Sequence, residues 1–270
     1  MARTRSKSFW SKYHERWNNT KSLVCIGLDS DYKSLPSCVL TDHNPQYTFN
    51  KAIVEATSAY ALAYKPNLAF YLATGVKGLE ALKLTIELIP EDIPVILDCK
   101  VGDIGNTMQA YIFACFEEYG VDAITINPLM GTDVLLPLLA DERNYAFALA
   151  LTSNPSAAEF FQQKSLAASI GNWIGAFPVT QLGAVVGATQ TRQLSTMRNL
   201  MPDRLFLIPG IGAQGGDLTA VIHHAVKNQH EPEILINSSR GIIFADKTAN
   251  FAETAAKEAQ KLRDAIKEEL

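Results

Sequence analysis

The stretch LDCKVGDIGNT, residues 97–107, places a lysine between two aspartates directly after an apolar run. Its charged members are Asp98, Lys100 and Asp103. Side chains two apart on a strand point to the same face, so Asp98 and Lys100 are expected to lie side by side at the strand's end. Charges near a buried strand cost free energy unless each has a partner or a task. The stretch predicts either a salt-bridge network or a site where lysine and carboxylates act on a bound molecule.

Further polar and charged residues follow other predicted strands at the corresponding position. They are Asp29, Lys65, Ser153 and Arg240. Taken alone, each type of residue has a structural explanation: an aspartate or serine can close a turn, Thr107 can begin a helix, and a lysine can extend its amine into water. These explanations do not account for the common location at strand ends. That location predicts that Lys65 joins Asp98 and Lys100.

The segment PGIGAQGGD follows the seventh predicted strand and has glycines at positions 210, 212 and 215. The spacing matches the G-x-G-x-x-G pattern of dinucleotide sites, but that pattern belongs after the first strand of a βαβ unit. Barrels commonly bind phosphate in the loops after their seventh and eighth strands. Arg240 follows the eighth strand and supplies a fixed positive fork. A phosphate site is the better interpretation, and a merely tight turn is the alternative.

A lysine in this setting can react in two ways. It can form a Schiff base, which requires the neutral amine, or it can remain an ammonium ion and act as an acid. The aspartates on both sides of Lys100 favour its charged form and thereby the acid. An ammonium donor beside carboxylates, with a phosphate-binding site opposite, is suited to decarboxylation of a phosphorylated substrate. In that reaction Lys100 would protonate the carbanion. None of the five histidines ends a predicted strand, so histidine-based catalysis is not expected.

Eight short apolar runs are nearly continuous in hydrophobicity, as parallel strands covered by helices are. They lie at residues 23–29, 60–68, 93–100, 123–127, 145–153, 184–189, 205–211 and 233–239. Segments with helical periodicity alternate with them, for example at 45–58, 78–89, 106–119 and 249–270. Eight such units in about 250 residues predict an α/β fold, the (β/α)₈ TIM barrel. A doubly wound open sheet is the alternative, because strand order cannot be read from one sequence.

The chain has 270 residues, of which 47% are hydrophobic, and a net charge of −4. This size, with no linker or shift in composition, predicts one barrel domain over residues 1–270 with a short N-terminal helical extension. The charge argues against nucleic acid or an anionic membrane as a partner. The sequence has no run that could span a bilayer and no CxxC pair among its four cysteines, and its basic first residues lack the apolar core expected of a secretory signal. A cytoplasmic protein is therefore expected.

Five motifs together resemble the orotidine 5′-phosphate decarboxylase family, in its longer bacterial type. In chain order they are AYKPNLAFY, the D-x-K-x-x-D-I of LDCKVGDIGNT, TSNPS, PGIGAQGGD and SSRGI. With Asp29, the matches extend to Ile242 and cover nearly the whole chain. The resemblance implies a (β/α)₈ homodimer that converts orotidine 5′-phosphate to UMP and CO₂ in pyrimidine biosynthesis, with no cofactor and no metal.

The resemblance also implies a role for each site residue. The catalytic network consists of Lys65, Asp98 beside the substrate carboxylate, Lys100 as proton donor, and Asp103, which the partner subunit contributes together with Thr107. The substrate-binding residues are Asp29 and Thr107 for the ribose, Ser153 for the pyrimidine ring, and Gln214 and Arg240 for the phosphate.

Two other functions stay open. The pattern D-x-K-x-x-D is shared by metal-dependent sugar-phosphate lyases and synthases of the same superfamily. Those enzymes are expected to place an acidic metal ligand where this chain has Lys65, and a lysine there repels a divalent cation. A non-catalytic nucleotide-binding protein would use only the phosphate-binding site, and Lys100 would then contribute to stability alone.

Overall fold

The computed structural model describes residues 3–161, 166–188, 191–211 and 216–270. Within these residues, eight parallel strands form one sheet in the order β2-β1-β8-β7-β6-β5-β4-β3. The strands are β1 Val24–Leu28, β2 Ala63–Pro66, β3 Ile96–Val101, β4 Ala123–Ile126, β5 Tyr145–Leu151, β6 Leu182–Val186, β7 Phe206–Pro209 and β8 Ile234–Ser238. Each coincides with one of the eight predicted runs to within three residues at either end.

The two edges of this sheet meet between β2 and β3. Parallel bridges join Tyr64 to Val95 and Asn67 to Asp98. The sheet is thus a nearly closed barrel, which confirms the predicted TIM barrel and rules out the open doubly wound sheet. Because all the strands run in one direction, their carboxyl ends meet at one mouth of the barrel.

Helices alternate with the strands around the outside of the barrel. They are α1 Phe9–Thr20, α2 Pro45–Thr57, α3 Leu68–Leu72, α4 Val76–Leu88, α5 Gly105–Ile112, α6 Leu136–Leu139, α7 Leu166–Gly175, α8 Thr191–Leu200, α9 Leu218–Ala225, α10 Arg240–Ile243 and α11 Phe251–Glu269. The helix predicted over 106–119 changes its winding midway, because α5 continues as a π-helical turn, Phe113–Glu118. No helix in the described ranges is long and apolar enough to cross a membrane.

Helix α1 lies across the amino end of the barrel, opposite the mouth. Its Phe9 ring lies 4.6 Å, centroid to centroid, from that of Tyr145 at the start of β5. The Tyr13 hydroxyl donates to the carbonyls of Pro232 and Ile234, where β8 begins. The predicted N-terminal helix is therefore present, and it covers the end of the barrel away from the predicted site.

Candidate active site

A cavity of about 320 Å³ opens at the mouth of the barrel, large enough for a small molecule. Six of the nine predicted site residues line it, and they come from the ends of five strands and the loops that follow. These six are Asp29, Lys65, Asp98, Lys100, Ser153 and Arg240. Barrel closure brings them together although they span more than two hundred positions of the chain.

The carboxylate of Asp98 lies between two ammonium groups. Lys65 Nζ, from the end of β2, is 3.0 Å from Asp98 Oδ2, and Lys100 Nζ is 2.5 Å from Asp98 Oδ1. The side chains of Lys65 and Asp98 are almost fully buried, whereas that of Lys100 is 49% exposed. Both ammonium groups line the cavity, and Lys100 is the more accessible of the two to an entering molecule.

The charges in this network stabilise one another. Burial would raise the pKa of Asp98, but attraction to Lys65 and Lys100 outweighs it and holds the pKa well below the usual range for an aspartate. Burial likewise disfavours the charge on Lys65, yet Asp98 and Asp29 raise its pKa above the ordinary lysine value. The buried pair is accordingly an ion pair at neutral pH, with Asp98 as a carboxylate.

A third donor to Asp98 comes from Thr125 on β4. Its hydroxyl donates to Asp98 Oδ1 at 2.9 Å and accepts the backbone N–H of Lys100 at 2.9 Å. Sequence reasoning missed this residue. Its only signal was a hydroxyl near the end of the apolar run AITIN.

Other polar groups that line the cavity were also missed. They are Asn67, Thr152, Asn154, Asn237 and Ser239. Oδ1 of Asn237 and Oδ1 of Asp29 are buried without a hydrogen-bond partner among the described residues. A buried acceptor without a partner costs free energy. These two oxygens are therefore the cavity's most evident acceptors for a ligand donor such as a hydroxyl.

Arg240 and Gly210 form the part of the cavity where phosphate binding was predicted. Arg240 begins α10 after β8, is exposed, and has no ion pair with any residue that the structure describes. Gly210, at the end of β7, has a φ of 104°, a backbone conformation that glycine adopts readily and other residues rarely do. Gln214, with glycines 212 and 215, lies outside the described residues. The Arg240 guanidinium is thus available to a dianion.

Asp103 and Thr107 do not line this cavity, although both follow β3 closely. Asp103 accepts the backbone N–H of Ile104 at 2.8 Å, and Thr107 is exposed on α5. Beside them is a group of exposed large apolar side chains, here called the apolar surface. It consists of Ile104, Phe113, Leu129, Met130 and Leu136, each at least 50% exposed, and the segments that carry them, α5 with its π-helical turn, residues 128–134 and α6, pack against one another. Apolar groups exposed together in this way are typical of an interface.

Comparison with known proteins gives a consistent set of similarities. The model of the Orotidine 5′-phosphate decarboxylase / HUMPS family matches residues 22–255. An orotidine 5′-phosphate decarboxylase of Bacteroides fragilis is 41% identical over 269 residues, which cover 95% of this chain and 96% of that protein. The enzyme of the same name from Thermomicrobium roseum is also 41% identical, over 96% of this chain and 95% of its own. The structure of Leishmania donovani OMP decarboxylase superposes with a TM-score of 0.83 at 31% identity, covering 97% of this chain and 98% of that one.

Proposed function

The chain belongs to the orotidine 5′-phosphate decarboxylase family, and we propose on that basis that it is a carboxy-lyase converting orotidine 5′-phosphate to UMP and CO₂ in pyrimidine biosynthesis. One observation carries the proposal. The buried carboxylate of Asp98 is held between Lys65 and Lys100 in a cavity whose rim also carries Arg240. Such a site presents an acid, an anion and a phosphate ligand to one small molecule.

In the proposed reaction, the substrate phosphate binds at Arg240 and the pyrimidine carboxylate lies against Asp98. The bond from the ring to the carboxylate breaks, CO₂ leaves, and the electron pair stays on the ring carbon. The ammonium group of Lys100 stabilises this pair and transfers a proton to the carbon, which completes UMP. The neutral amine of Lys100 then takes a proton from water.

Asp98 contributes because it is an anion before and after the reaction. Its lowered pKa keeps Asp98 charged beside the substrate carboxylate, so the two carboxylates repel each other. The repulsion falls as the carboxylate becomes neutral CO₂, so the interaction favours the transition state over the bound substrate. The same carboxylate holds Lys65 and Lys100 in place, which orients charge towards the forming carbanion.

The remaining predicted residues would bind the substrate. Asp29 has an unpartnered acceptor suited to a ribose hydroxyl, and Ser153, which lines the cavity, would contact the pyrimidine ring. We assign Gln214 to the phosphate, together with Arg240, from the family resemblance. The enzyme proposed here is cytoplasmic and uses neither a metal nor an organic cofactor.

We further propose that the enzyme is a homodimer in which Asp103 and Thr107 act in the partner's site. Neither lines the cavity of its own chain, and both lie next to the apolar surface. A twofold interface through that surface would carry Asp103 and Thr107 to the partner's cavity mouth. Each site would then be completed by residues of two subunits.

The activity of a metal-dependent sugar-phosphate lyase or synthase is the second candidate function, and one contact disfavours it. Lys65 Nζ is 3.0 Å from Asp98, the first carboxylate of D-x-K-x-x-D. A divalent cation would have to bind that carboxylate next to a fixed positive charge. The position of Lys65 therefore favours chemistry by the side chains themselves.

Incubation of the purified full-length chain with orotidine 5′-phosphate, with and without excess chelator, tests the proposal. We expect release of UMP and CO₂ in equal amounts at a rate that the chelator does not change. Loss of activity that magnesium restores would favour the sugar-phosphate enzymes. Binding of the nucleotide without turnover would identify a nucleotide-binding protein and refute the enzyme.

A further inference from the structure

The strand that carries Asp98 and Lys100 is irregular where these residues lie. On β3, Leu97 and Val101 are four positions apart, but their partners on β4, Ile124 and Ile126, are two apart. The extra residues of β3 bulge out of the ladder. Lys100 lies in this bulge with a φ of 48°, in the left-handed region that lysine rarely adopts. The bulge therefore needs contacts other than the regular ladder to hold its shape.

Thr125, between Ile124 and Ile126, faces this bulge and provides such a contact. It is 2% exposed, and its Oγ accepts the backbone N–H of Lys100. The N–H can only donate and the ionised carboxylate of Asp98 can only accept. The hydroxyl hydrogen of Thr125 must therefore point to Asp98 Oδ1.

The two hydrogen bonds of Thr125 join the parts of the site whose relative position the reaction depends on. Asp98 Oδ1 receives Thr125 Oγ and Lys100 Nζ, while Oδ2 receives Lys65 Nζ. The carboxylate is thus held on both oxygens and cannot rotate without losing a donor. The same hydroxyl ties the backbone of Lys100, from which its ammonium group extends.

We propose that Thr125 is a positioning residue, whose hydroxyl fixes the carboxylate of Asp98 and the backbone of Lys100 in their working arrangement. The inference rests on the function proposed above and deepens it. The hydroxyl of Thr125 donates its hydrogen to Asp98, and its oxygen accepts the Lys100 N–H. Thr125 therefore acts through these two partners. Its loss should slow the chemical step more than it weakens substrate binding, because the phosphate is bound at Arg240.

Two substitutions separate the hydroxyl from the shape of the side chain. Thr125→Val keeps the branched shape and removes the hydroxyl, whereas Thr125→Ser keeps the hydroxyl and removes the methyl group. For Thr125→Val we expect kcat for orotidine 5′-phosphate to fall by about tenfold or more, with KM changed by less than about threefold. Thr125→Ser should keep kcat within about threefold of the wild-type value.

Thr85→Val is the matched control. Thr85 is fully buried in α4, and its hydroxyl accepts from Asn50 Nδ2 at 3.1 Å, away from the cavity. Its replacement should lower Tm through the lost hydrogen bond and leave kcat unchanged. A fall in kcat confined to Thr125→Val would therefore not be a general effect of losing a buried hydroxyl.

The outcomes separate this inference from the proposed function. If the wild-type enzyme turns over but Thr125→Val keeps kcat within about twofold, or Thr125→Ser is as slow as Thr125→Val, the positioning role is wrong. A wild-type chain without turnover would refute the proposed function instead. Should Thr125→Val fail to fold, Thr125→Ser is compared with Thr125→Cys, which is similar in shape but has a weak thiol in place of the hydroxyl. The cysteine variant is then expected to be the slower by about tenfold, and equal rates would overturn the inference.

Discussion

Lys65 and Lys100 differ in the way they serve Asp98, although both pair with it. Lys65 is buried with the carboxylate, and Asp98 and Asp29 stabilise its charge. Lys100 is half exposed at the cavity surface. A buried ammonium group that neutralises a carboxylate is suited to holding the site together, whereas an accessible one is suited to proton transfer. We therefore expect substitutions of Lys100 and of the phosphate ligand to have separable effects.

At the residue scale, Lys100→Ala and Arg240→Ala should fail in different ways. Lys100→Ala is expected to abolish measurable turnover while UMP still binds, because it removes the proton donor and leaves the phosphate site intact. Arg240→Ala is expected to lower kcat/KM by a factor equivalent to several kcal/mol of transition-state stabilisation, because charge-assisted hydrogen bonds to the phosphate are lost. It is also expected to weaken UMP binding. UMP formation and calorimetric titration with UMP measure the two effects.

The control for these variants is Lys51→Ala, which removes an exposed lysine paired with Glu55 on α2. It should match the wild type in both measurements. Substantial turnover by Lys100→Ala would show that the proton comes from another group.

At the scale of elements, a buried ionic cluster attaches the N-terminal segment to the barrel. Asp122, directly before β4, accepts Arg3 Nη1 and Lys12 Nζ at 2.8 Å each, and the backbone N–H of Val95 at 2.9 Å. All three charged side chains are at most 3% exposed. Removing the carboxylate would leave two buried cations without their counter-ion. The position of α1 across the amino end of the barrel therefore depends strongly on Asp122.

We predict that Asp122→Ala lowers the free energy of unfolding by about 3–5 kcal/mol, the range for breaking a buried ion pair. Urea unfolding at pH 7 measures this loss. The folded fraction should keep the wild-type kcat at 25 °C, because Asp122 lies at the end of the barrel opposite the cavity. Asp92→Ala is the control: Asp92 pairs with Arg16 at 2.7 Å but is 65% exposed, and its loss should cost less than about 1 kcal/mol. Equal losses of unfolding free energy in the two variants would show that the buried cluster stabilises the fold no more than an exposed ion pair does.

At the scale of the whole molecule, the proposed dimer explains why two predicted residues are away from the cavity. Asp103 and Thr107 lie beside the apolar surface on the same side of the barrel as α5 and α6. Burial of that surface in a twofold interface would remove apolar side chains from water. It would also give the partner's site a second aspartate near its Lys100.

Subunit exchange between Lys100→Ala and Asp103→Ala tests the shared site. Random exchange at equal concentration makes about half of the dimers mixed. In a mixed dimer, the site on the Asp103→Ala chain keeps its own Lys100 and receives an intact Asp103 from its partner, while the other site lacks both. Activity of the mixture should therefore return to about a quarter of the wild-type value. UMP formation after verified exchange is the measurement.

A mixture that stays at the activity of the single variants would contradict the shared site. In that case every site would lack either Lys100 or Asp103, as it must if both residues serve their own chain. Each variant mixed with itself is the control for exchange alone.

The sequence by itself determined the strands and which charged residues lie at their ends. Continuous apolar runs mark strands buried on both faces, so all eight were located from hydrophobicity alone. The alternation of side chains along a strand put Asp98 and Lys100 on one face, and they do meet. The positions of Lys65 and Arg240 at strand ends were enough to predict their place at the mouth. These features are local, and neighbouring residues specify them.

The tertiary structure alone decided the closure of the barrel, the bulge in β3, the hydrogen bonds of Thr125 and the burial of the Asn237 Oδ1 atom in the cavity wall. The strand order depends on pairing between segments far apart in sequence, such as β1 with β8. A threonine in an apolar run looks like any strand residue until the neighbouring strand bulges towards it and leaves the Lys100 N–H to be satisfied. The pairing of Asp122 with Arg3 and Lys12 likewise joins positions more than a hundred residues apart. Such contacts form only when the barrel closes, because burial then forces each polar group to find a partner that its neighbours in sequence do not provide.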